Sequence, residues 1–183
     1  RKHYIKFSDT WKNLFSGNLG ITSSNLFKKT NILKVGLWNE AYKSSQEAEL
    51  MFKIIKIYGP PFLMKNEFQT VVYEQKSSIS NVNKSNNLKT FLKLRILILE
   101  YLIEFENEYF QKEKQWFLNE LLTISLNYFY YDKTFSKKKY NKFLDTHLGV
   151  NRSLTFNRKM LILAIKCFGF SFGAFIYKKM NSR

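Results

Sequence analysis

The fold class of this protein depends on residues 88–131, which read LKTFLKLRILILEYLIEFENEYFQKEKQWFLNELLTISLNYFYY. Neither glycine nor proline interrupts the segment, so one or two amphipathic helices are open to it. Its first part, residues 88–99, also alternates as a half-buried strand does, and we favour the strand. In that reading one face carries Lys89, Phe91, Lys93 and Arg95, and the other carries Thr90, Leu92, Leu94 and Ile96.

The segments around this stretch complete a mixed pattern. A β-prone run at 32–38 precedes a capping-box signal at Ser44 to Glu47, which predicts a helix that ends at Gly59-Pro60-Pro61. A strand follows at 68–73, then a polar turn at 76–87, the strand at 88–99, a helix at 105–121 and a last strand at 123–131. The order β-α-β-β-α-β predicts an α+β fold, a ferredoxin-like core with a long projecting hairpin.

Composition indicates a folded and strongly cationic protein. The 183 residues carry 30 Lys and Arg against 14 Asp and Glu, a net charge of +16, and 45% of them are hydrophobic. That apolar fraction suffices for a core, and the charge favours a polyanionic partner through counterion release. Lysine, asparagine, phenylalanine, tyrosine and isoleucine are abundant and have AT-rich codons, so part of the lysine excess reflects an AT-rich genome.

Residues 32–131 resemble the small-subunit ribosomal protein S-ten family. The similarity is carried by Trp38-Asn39 after the first strand, Gly59-Pro60 after the first helix, Leu63 with Lys65 at the hairpin entry, and Val82-Asn83-Lys84 at the hairpin tip. Phe91 and Arg95 follow on the returning strand. The resemblance implies a structural constituent of the small subunit of an organellar, mitochondrial ribosome in the matrix, next to proteins of the subunit head.

The hairpin is the expected contact with small-subunit ribosomal RNA. Its lysines and arginine neutralise phosphates, while its short polar side chains donate to backbone oxygens or 2′-hydroxyls without reading base sequence. A solvated lysine face is the alternative interpretation. The expected RNA-binding residues are Lys65, Lys76, Ser78, Asn81, Asn83, Lys84, Lys89, Lys93 and Arg95.

The ends of the chain are expected to be extensions of this core at 31–132. Residues 1–30 are polar with scattered aromatics, and residues 133–183 form a basic and apolar, mainly helical extension. Within it, residues 160–177 are mostly apolar and contain Gly169-x-x-x-Gly173. They are therefore either a helix buried against protein or a membrane span, which would make the chain a single-span subunit of a respiratory or ATP synthase complex in the mitochondrial inner membrane.

Catalysis has little support in the sequence. His3 and His147 are isolated, and Cys167 lies in an apolar run where a structural thiol is favoured over a nucleophile. A single cysteine forms no disulfide within the chain and no cysteine-rich zinc site. We expect neither an enzyme nor a bound cofactor or metal.

Overall fold

The computed structural model describes residues 9–19, 25–42, 44–61, 84–136, 138 and 155–181. About 79% of these residues are helical, and they contain no strand. The predicted ferredoxin-like β-α-β-β-α-β core is therefore wrong. The helices, in chain order, are α1 (Thr10–Ser16), α2 (Lys29–Lys34), α3 (Gln46–Tyr58), α4 (Lys84–Phe105), α5 (Asn107–Phe129), α6 (Phe156–Phe168) and α7 (Phe170–Asn181).

Two compact units share the chain, Arg1–Glu100 and Tyr101–Arg183. The boundary falls inside α4 and inside the segment 31–132 that the sequence assigned to one core. The predicted strand at 68–73 and residues 76–83 of the predicted hairpin lie outside the described residues.

In the first unit, α1 is a short helix with a defined start and end. The Asp9 carboxylate accepts a hydrogen bond from the Lys12 backbone N–H at 3.1 Å, as an N-cap does. Gly17 ends the helix in the left-handed conformation at φ 78°, which costs a glycine little. Leu14 and Phe15 point into the core, at 1% and 0% exposure.

The predicted strand at 32–38 is a short helix and a turn. Helix α2 covers its first residues, and Gly36 and Leu37 then have φ values of 83° and 62°, which an extended strand excludes. The Lys53 ammonium donates to the Leu37 carbonyl at 3.2 Å, so the turn is held against α3.

The helix predicted before Gly59 is confirmed as α3, but its predicted capping box is wrong. Ser45 is the N-cap, and its side chain makes no capping hydrogen bond. The Ser44 hydroxyl donates instead to the Asn87 carbonyl of α4, at 3.5 Å. Leu50, Met51 and Ile55 are buried on one side of α3, as the helical spacing predicts.

The predicted strand at 88–99 is part of α4. On one face of the expected strand, Leu92, Leu94, Ile96 and Ile98 are all 3% exposed or less. On the other face Arg95 and Leu99 are also buried, while Lys93 and Leu97 are exposed. A helix covered on most sides needs no amphipathic stripe, and α4 accordingly reads as a nearly continuous apolar run. The strand prediction failed because alternation within such a run carries no information.

In the second unit, α5 covers residues 107–121 of the predicted helix and residues 123–129 of the predicted last strand. Residues 121, 122, 125, 126 and 129 are buried, which is a helical and not an alternating pattern. The Thr123 hydroxyl donates to the Asn119 carbonyl one turn back at 3.0 Å, so this strand-prone residue is satisfied within the helix.

Residues 156–181 form two helices and not one continuous span. Gly169 separates α6 from α7 at φ 85°, and the two helices pack against each other. Gly173 is the point of close approach: a Cβ atom there would lie 2.1 Å from Ile165 Cγ1. Among the helices of the described residues, none combines the length and apolar character that crossing a bilayer requires.

Candidate functional site

Most of the expected RNA-binding residues fall outside what the structure describes. This holds for Lys65, Lys76, Ser78, Asn81 and Asn83. Lys84 opens α4, and Lys89, Lys93 and Arg95 follow on the same helix. From Lys84 onward a helix therefore replaces the predicted projecting hairpin, and these four residues lie on that helix.

The helix separates three cations that the strand would have aligned. Consecutive residues of an α-helix turn by about 100°, so positions 93 and 95 point in different directions. Lys93 is exposed and Lys89 half-buried, whereas Arg95 is fully buried at 0% exposure. Lys93 is thus available to a large polyanion, whereas the Arg95 side chain lies inside the first unit.

Arg95 is held by the end of α1 and by a neighbour on α4. Its Nε donates to the Phe15 carbonyl at 2.6 Å, and one terminal nitrogen, Nη2, donates to the Leu14 carbonyl at 3.4 Å. These carbonyls belong to the last turn of a helix, where the partial charge is negative. The guanidinium carbon lies 3.3 Å from the centre of the Phe91 ring, a close cation–π contact.

The other terminal nitrogen of Arg95, Nη1, is buried without a hydrogen-bond partner in the described part of the chain. Nor does any carboxylate there form an ion pair with the guanidinium. Burial alone lowers the pKa of Arg95 to about 9. The side chain is still charged at neutral pH, and an unpaired charge in a protein interior is costly.

A cavity of about 260 Å³ lies next to this guanidinium. Arg95 and Phe91 of α4 form one part of its wall, and Ser45, Glu47 and Ala48 at the start of α3 form another. The rest of the wall comes from Leu14, Gly17, Leu19 and Met51. The first N–H groups of an α-helix have no partner within the helix, so this cavity brings a buried cation next to a helix N-terminus.

The exposed charge of the described residues is predominantly positive. The exposed carboxylates there are Glu40, Glu104 and Glu108. The exposed lysines are Lys28, Lys29, Lys34, Lys56, Lys93, Lys112, Lys133, Lys138, Lys166, Lys178 and Lys179. The excess of cationic over anionic residues in the whole sequence is therefore also found among the exposed side chains of the described residues.

The excess of positive over negative charge is most pronounced in helices α6 and α7. Residues 155–181 carry five Lys or Arg and no Asp or Glu. They also expose large apolar side chains at helical spacing, and Cys167 lies on the exposed side of α6. The apolar residues are Phe156, Met160 and Leu163 on one stripe and Phe168, Phe172 and Phe175 on the next, with exposed fractions of 42–75%.

Two hydrogen-bonded contacts attach these helices to α5 and the residue after it. The Arg158 guanidinium donates to the Asn119 carbonyl at 2.7 Å and to the Thr123 hydroxyl. Burial lowers the pKa of Arg158, an effect that Tyr177 and Glu120 oppose. The Tyr130 hydroxyl donates to the Ala174 carbonyl at 2.6 Å.

The described residues contain no cluster of histidine, cysteine, aspartate and glutamate that could hold a metal ion. His3 and His147 lie outside them.

Sequence reasoning missed the buried role of Arg95. The signal was present, because Arg95 is the single charged residue between Leu94 and Leu99 in a run of apolar side chains. A lone arginine in such a run indicates a buried cation, and buried charges need specific partners.

Comparison with protein-family models, curated proteins and solved structures gave no match in any of the three. The function must accordingly be argued from the geometry and charge of the chain itself.

Proposed function

We propose that this protein is a non-catalytic RNA-binding component of a ribonucleoprotein. The observation that carries the proposal is the surface charge of the described residues, where lysines project from α2, α3, α4, α6 and α7 and exposed carboxylates are few. Lysine ammonium groups bind phosphates as point charges, and the release of condensed counterions drives such association.

Aromatic side chains beside these lysines support RNA over a simple polyanion. Trp38 is 37% exposed and Tyr58 41% exposed, close in sequence to the exposed Lys34 and Lys56. Unstacked bases in single-stranded loops stack on such rings, while the neighbouring cations contact the backbone. The expected binding is strong, salt-dependent and tolerant of sequence.

The small subunit of an organellar ribosome is the specific assembly that we propose. Its support is the AT-rich composition together with the charge of +16. The helical fold removes the ferredoxin-like core that the family resemblance implied, so the proposal no longer depends on a projecting hairpin. Co-sedimentation of the full chain with small-subunit RNA in detergent, and its release by high salt, is the expected result.

The salt dependence of RNA binding tests the surface directly. We would titrate a 20-nucleotide single-stranded RNA at several NaCl concentrations, using variants in which two lysines become glutamine. The test pairs are Lys28 with Lys29 on the first unit and Lys178 with Lys179 on the second. The control pair is Lys112 with Lys114, which lies near Glu108 and Glu113 on α5.

Each lost phosphate contact lowers the slope of log K against log salt by about 0.7 for single strands. A test pair that contacts RNA should therefore flatten the slope by about 1.4. The control pair should leave it within about 0.3, because neighbouring carboxylates already offset its charge. If all three pairs have the same effect, net charge alone governs binding and there is no RNA-binding surface.

The exposed phenylalanines of α6 and α7 favour a second candidate, association with an anionic membrane surface. A face with cations, large apolar side chains and no carboxylate suits the headgroup layer of such a bilayer, and shallow insertion needs no spanning helix. Burying one phenylalanine contributes about 1.5–3 kcal/mol.

Replacing Phe172 and Phe175 by serine separates the two candidates. If α6 and α7 bind a membrane, the variant should bind vesicles of phosphatidylcholine with 30% phosphatidylglycerol at least about 10-fold more weakly, with unchanged RNA affinity. Equal vesicle binding by the variant and the parent would reject the membrane candidate.

A further inference from the structure

Trp38 follows a turn that is built from two consecutive left-handed residues. Gly36 and Leu37 have φ values of 83° and 62°. The Leu37 N–H donates to the Ile32 carbonyl at 3.0 Å. The Gly36 N–H donates to the Leu33 carbonyl at 3.2 Å, which completes a Schellman end to α2. A leucine is strained at such an angle, and strained residues persist where surrounding contacts fix them and cluster at binding sites.

Helix α3 supplies a contact that fixes this turn. The Lys53 ammonium donates to the Leu37 carbonyl at 3.2 Å and pairs with the Glu49 carboxylate at 3.0 Å. Glu49 is only 7% exposed, so the ion pair is anchored in the first unit. The backbone immediately before Trp38 is therefore held against α3. A side chain on a fixed backbone loses less conformational freedom when a ligand binds to it.

The indole of Trp38 remains accessible. The residue is 37% exposed. Its ring centre lies 6.4 Å from that of Phe27, with the two ring planes at 79°. In an edge-to-face pair each ring covers at most one face of the other, so Phe27 leaves at least one face of the indole uncovered. Phe27 precedes α2 and Trp38 follows it, so this contact brings the two ends of α2 together.

The segment around α2 is also cationic. Residues 25–42 contain three lysines and one glutamate as their charged side chains, and all four are exposed: Lys28, Lys29, Lys34 and Glu40. Lys28 and Lys29 directly follow Phe27, so the contact between Phe27 and Trp38 brings both ammonium groups to the neighbourhood of the indole. An aromatic face beside two cations matches a nucleotide, whose base stacks on the ring while its phosphates meet the lysines.

We propose that the α2 segment is a binding site for single-stranded RNA, in which one unpaired base stacks on Trp38 and the lysines Lys28 and Lys29 bind the adjacent phosphates. This role of Trp38 rests on the RNA-binding function proposed above. A base inside a duplex is covered on both faces by its neighbours, so the site accepts single strands. Purines offer the larger aromatic face, so the site favours adenine over uracil.

Oligoadenylate of about 12 nucleotides is the probe, a length that single-stranded sites cover. The control is an abasic oligomer with the same number of phosphates. Binding to the full chain is measured by the fluorescence anisotropy of a dye on the oligomer. Oligoadenylate should bind at least about 5-fold more tightly than the abasic oligomer, with oligouridylate between them.

This comparison separates failure of the stacking site from failure of the proposed function. Equal affinities for oligoadenylate and the abasic oligomer would overturn the stacking site and leave the RNA-binding surface in place. Absence of binding to either oligomer would reject RNA binding itself, and the stacking site with it. Oligouridylate bound more tightly than oligoadenylate would overturn the preference for purines.

Variants at Trp38 assign the preference to this ring. Trp38→Leu keeps an apolar side chain but removes the aromatic face, so oligoadenylate should bind about 5- to 30-fold more weakly. Its affinity for the abasic oligomer and its slope of log K against log salt should not change, because no cation is lost. Trp38→Tyr restores a flat ring and should recover most of the loss. The control is Phe105→Leu, at a 62% exposed ring between Glu104 and Glu106, which should change neither affinity.

Gly36→Val tests the turn without altering the indole. No atom of the described residues lies within 4 Å of a Cβ placed at Gly36, so the substitution strains the backbone at φ 83° without a clash. It should displace Trp38 and weaken oligoadenylate binding as Trp38→Leu does, and the double variant should lose no more than either single variant.

The two variants together decide the outcome. A folded Trp38→Leu protein that binds oligoadenylate as tightly as the parent would overturn the proposal. Equal losses for oligoadenylate and the abasic oligomer would also overturn it, because a purely structural role of Trp38 predicts that result. If Trp38→Leu does not fold, unchanged oligoadenylate affinity in Gly36→Val would overturn the proposal in its place.

Discussion

Gly173→Ala introduces one methyl group where α6 and α7 approach most closely. The new Cβ would lie 2.1 Å from Ile165 Cγ1 and 2.9 Å from its Cδ1. An unstrained contact between two carbon atoms is about 3.5–4.0 Å, so one of the two groups must move by about 1.4 Å. Ile165 is only 3% exposed, so it is packed on nearly all sides.

Gly173→Ala has two opposite effects on the free energy of unfolding. Alanine in place of glycine within a helix stabilises by about 0.5–1 kcal/mol. Overpacking a filled interior costs about 1–3 kcal/mol, and a gap this small places the cost in the upper part of that range. We therefore expect Gly173→Ala to lower the free energy of unfolding by about 1–2 kcal/mol.

Urea unfolding of the second unit measures this change. The chain has three tryptophans, and Trp11→Phe with Trp38→Phe leaves Trp116 on α5 as the reporter. Ser171→Ala, at an exposed position of the same helix, is the control and should change stability by no more than about 0.5 kcal/mol. A Gly173→Ala protein as stable as its parent would refute the close packing of α6 on α7.

A second variant tests the cause of the loss. Ile165→Ala alone should cost about 2–4 kcal/mol, because it empties a buried site. In the presence of Gly173→Ala it should cost about 1 kcal/mol less, because the clashing atoms are gone. Strict additivity of the two substitutions would show that no steric conflict exists.

Three further predictions concern hydrogen-bonded and titrating side chains. Arg158→Met removes donors to the Asn119 carbonyl and the Thr123 hydroxyl, so urea unfolding should show a loss of about 1.5–3 kcal/mol; an unchanged midpoint would contradict these contacts. Tyr130→Phe removes the hydrogen bond to the Ala174 carbonyl and should cost about 0.5–1.5 kcal/mol in the same assay. The lowered pKa of Arg95 means that, above pH 9, the unfolded chain binds more protons at this group than the folded chain does. Between pH 8.5 and 10 the parent should therefore gain about 1 kcal/mol of stability relative to Arg95→Met, and a constant difference would show that the guanidinium does not titrate there.

The sequence predicted helices best where one face is exposed. Ala48, Met51 and Ile55 follow a helical spacing, and Gly59 with two prolines marks the end, so α3 could be recognised. The bounds of α3 could be predicted from residues that are neighbours in sequence. The N-cap could not, because the Ser44 hydroxyl donates to a residue far along the chain and not to a backbone group of its own helix.

Helix α4 could not be recognised from its pattern, because it is buried on most sides. Leu92, Leu94, Ile96 and Ile98 are buried in the helix although they alternate in sequence as the buried face of a strand would, so their spacing favoured the wrong element. The absence of glycine and proline from residues 88–131 was the better signal. Given more weight than β-propensity, it would have predicted the long helices.

The sequence predicted the kind of residue that the candidate site would contain, but not where in the fold those residues would lie. An excess of lysine indicated a polyanion partner, and the described surface retains that excess. The cavity beside Arg95 depends on the end of α1 and the start of α3 meeting α4, which no local pattern contains. Such a site is visible only once the tertiary structure is known.

The bond from Arg95 to the Phe15 carbonyl spans 80 positions of the chain. A helix of seven residues such as α1 is marginal in water by itself. During synthesis α1 therefore lacks the hydrogen bonds from Arg95 until the ribosome has released a segment 80 residues further along the chain. A chain that stops before Arg95 leaves the Leu14 and Phe15 carbonyls without these donors, so the first unit can complete its packing only after this part of α4 has been synthesised.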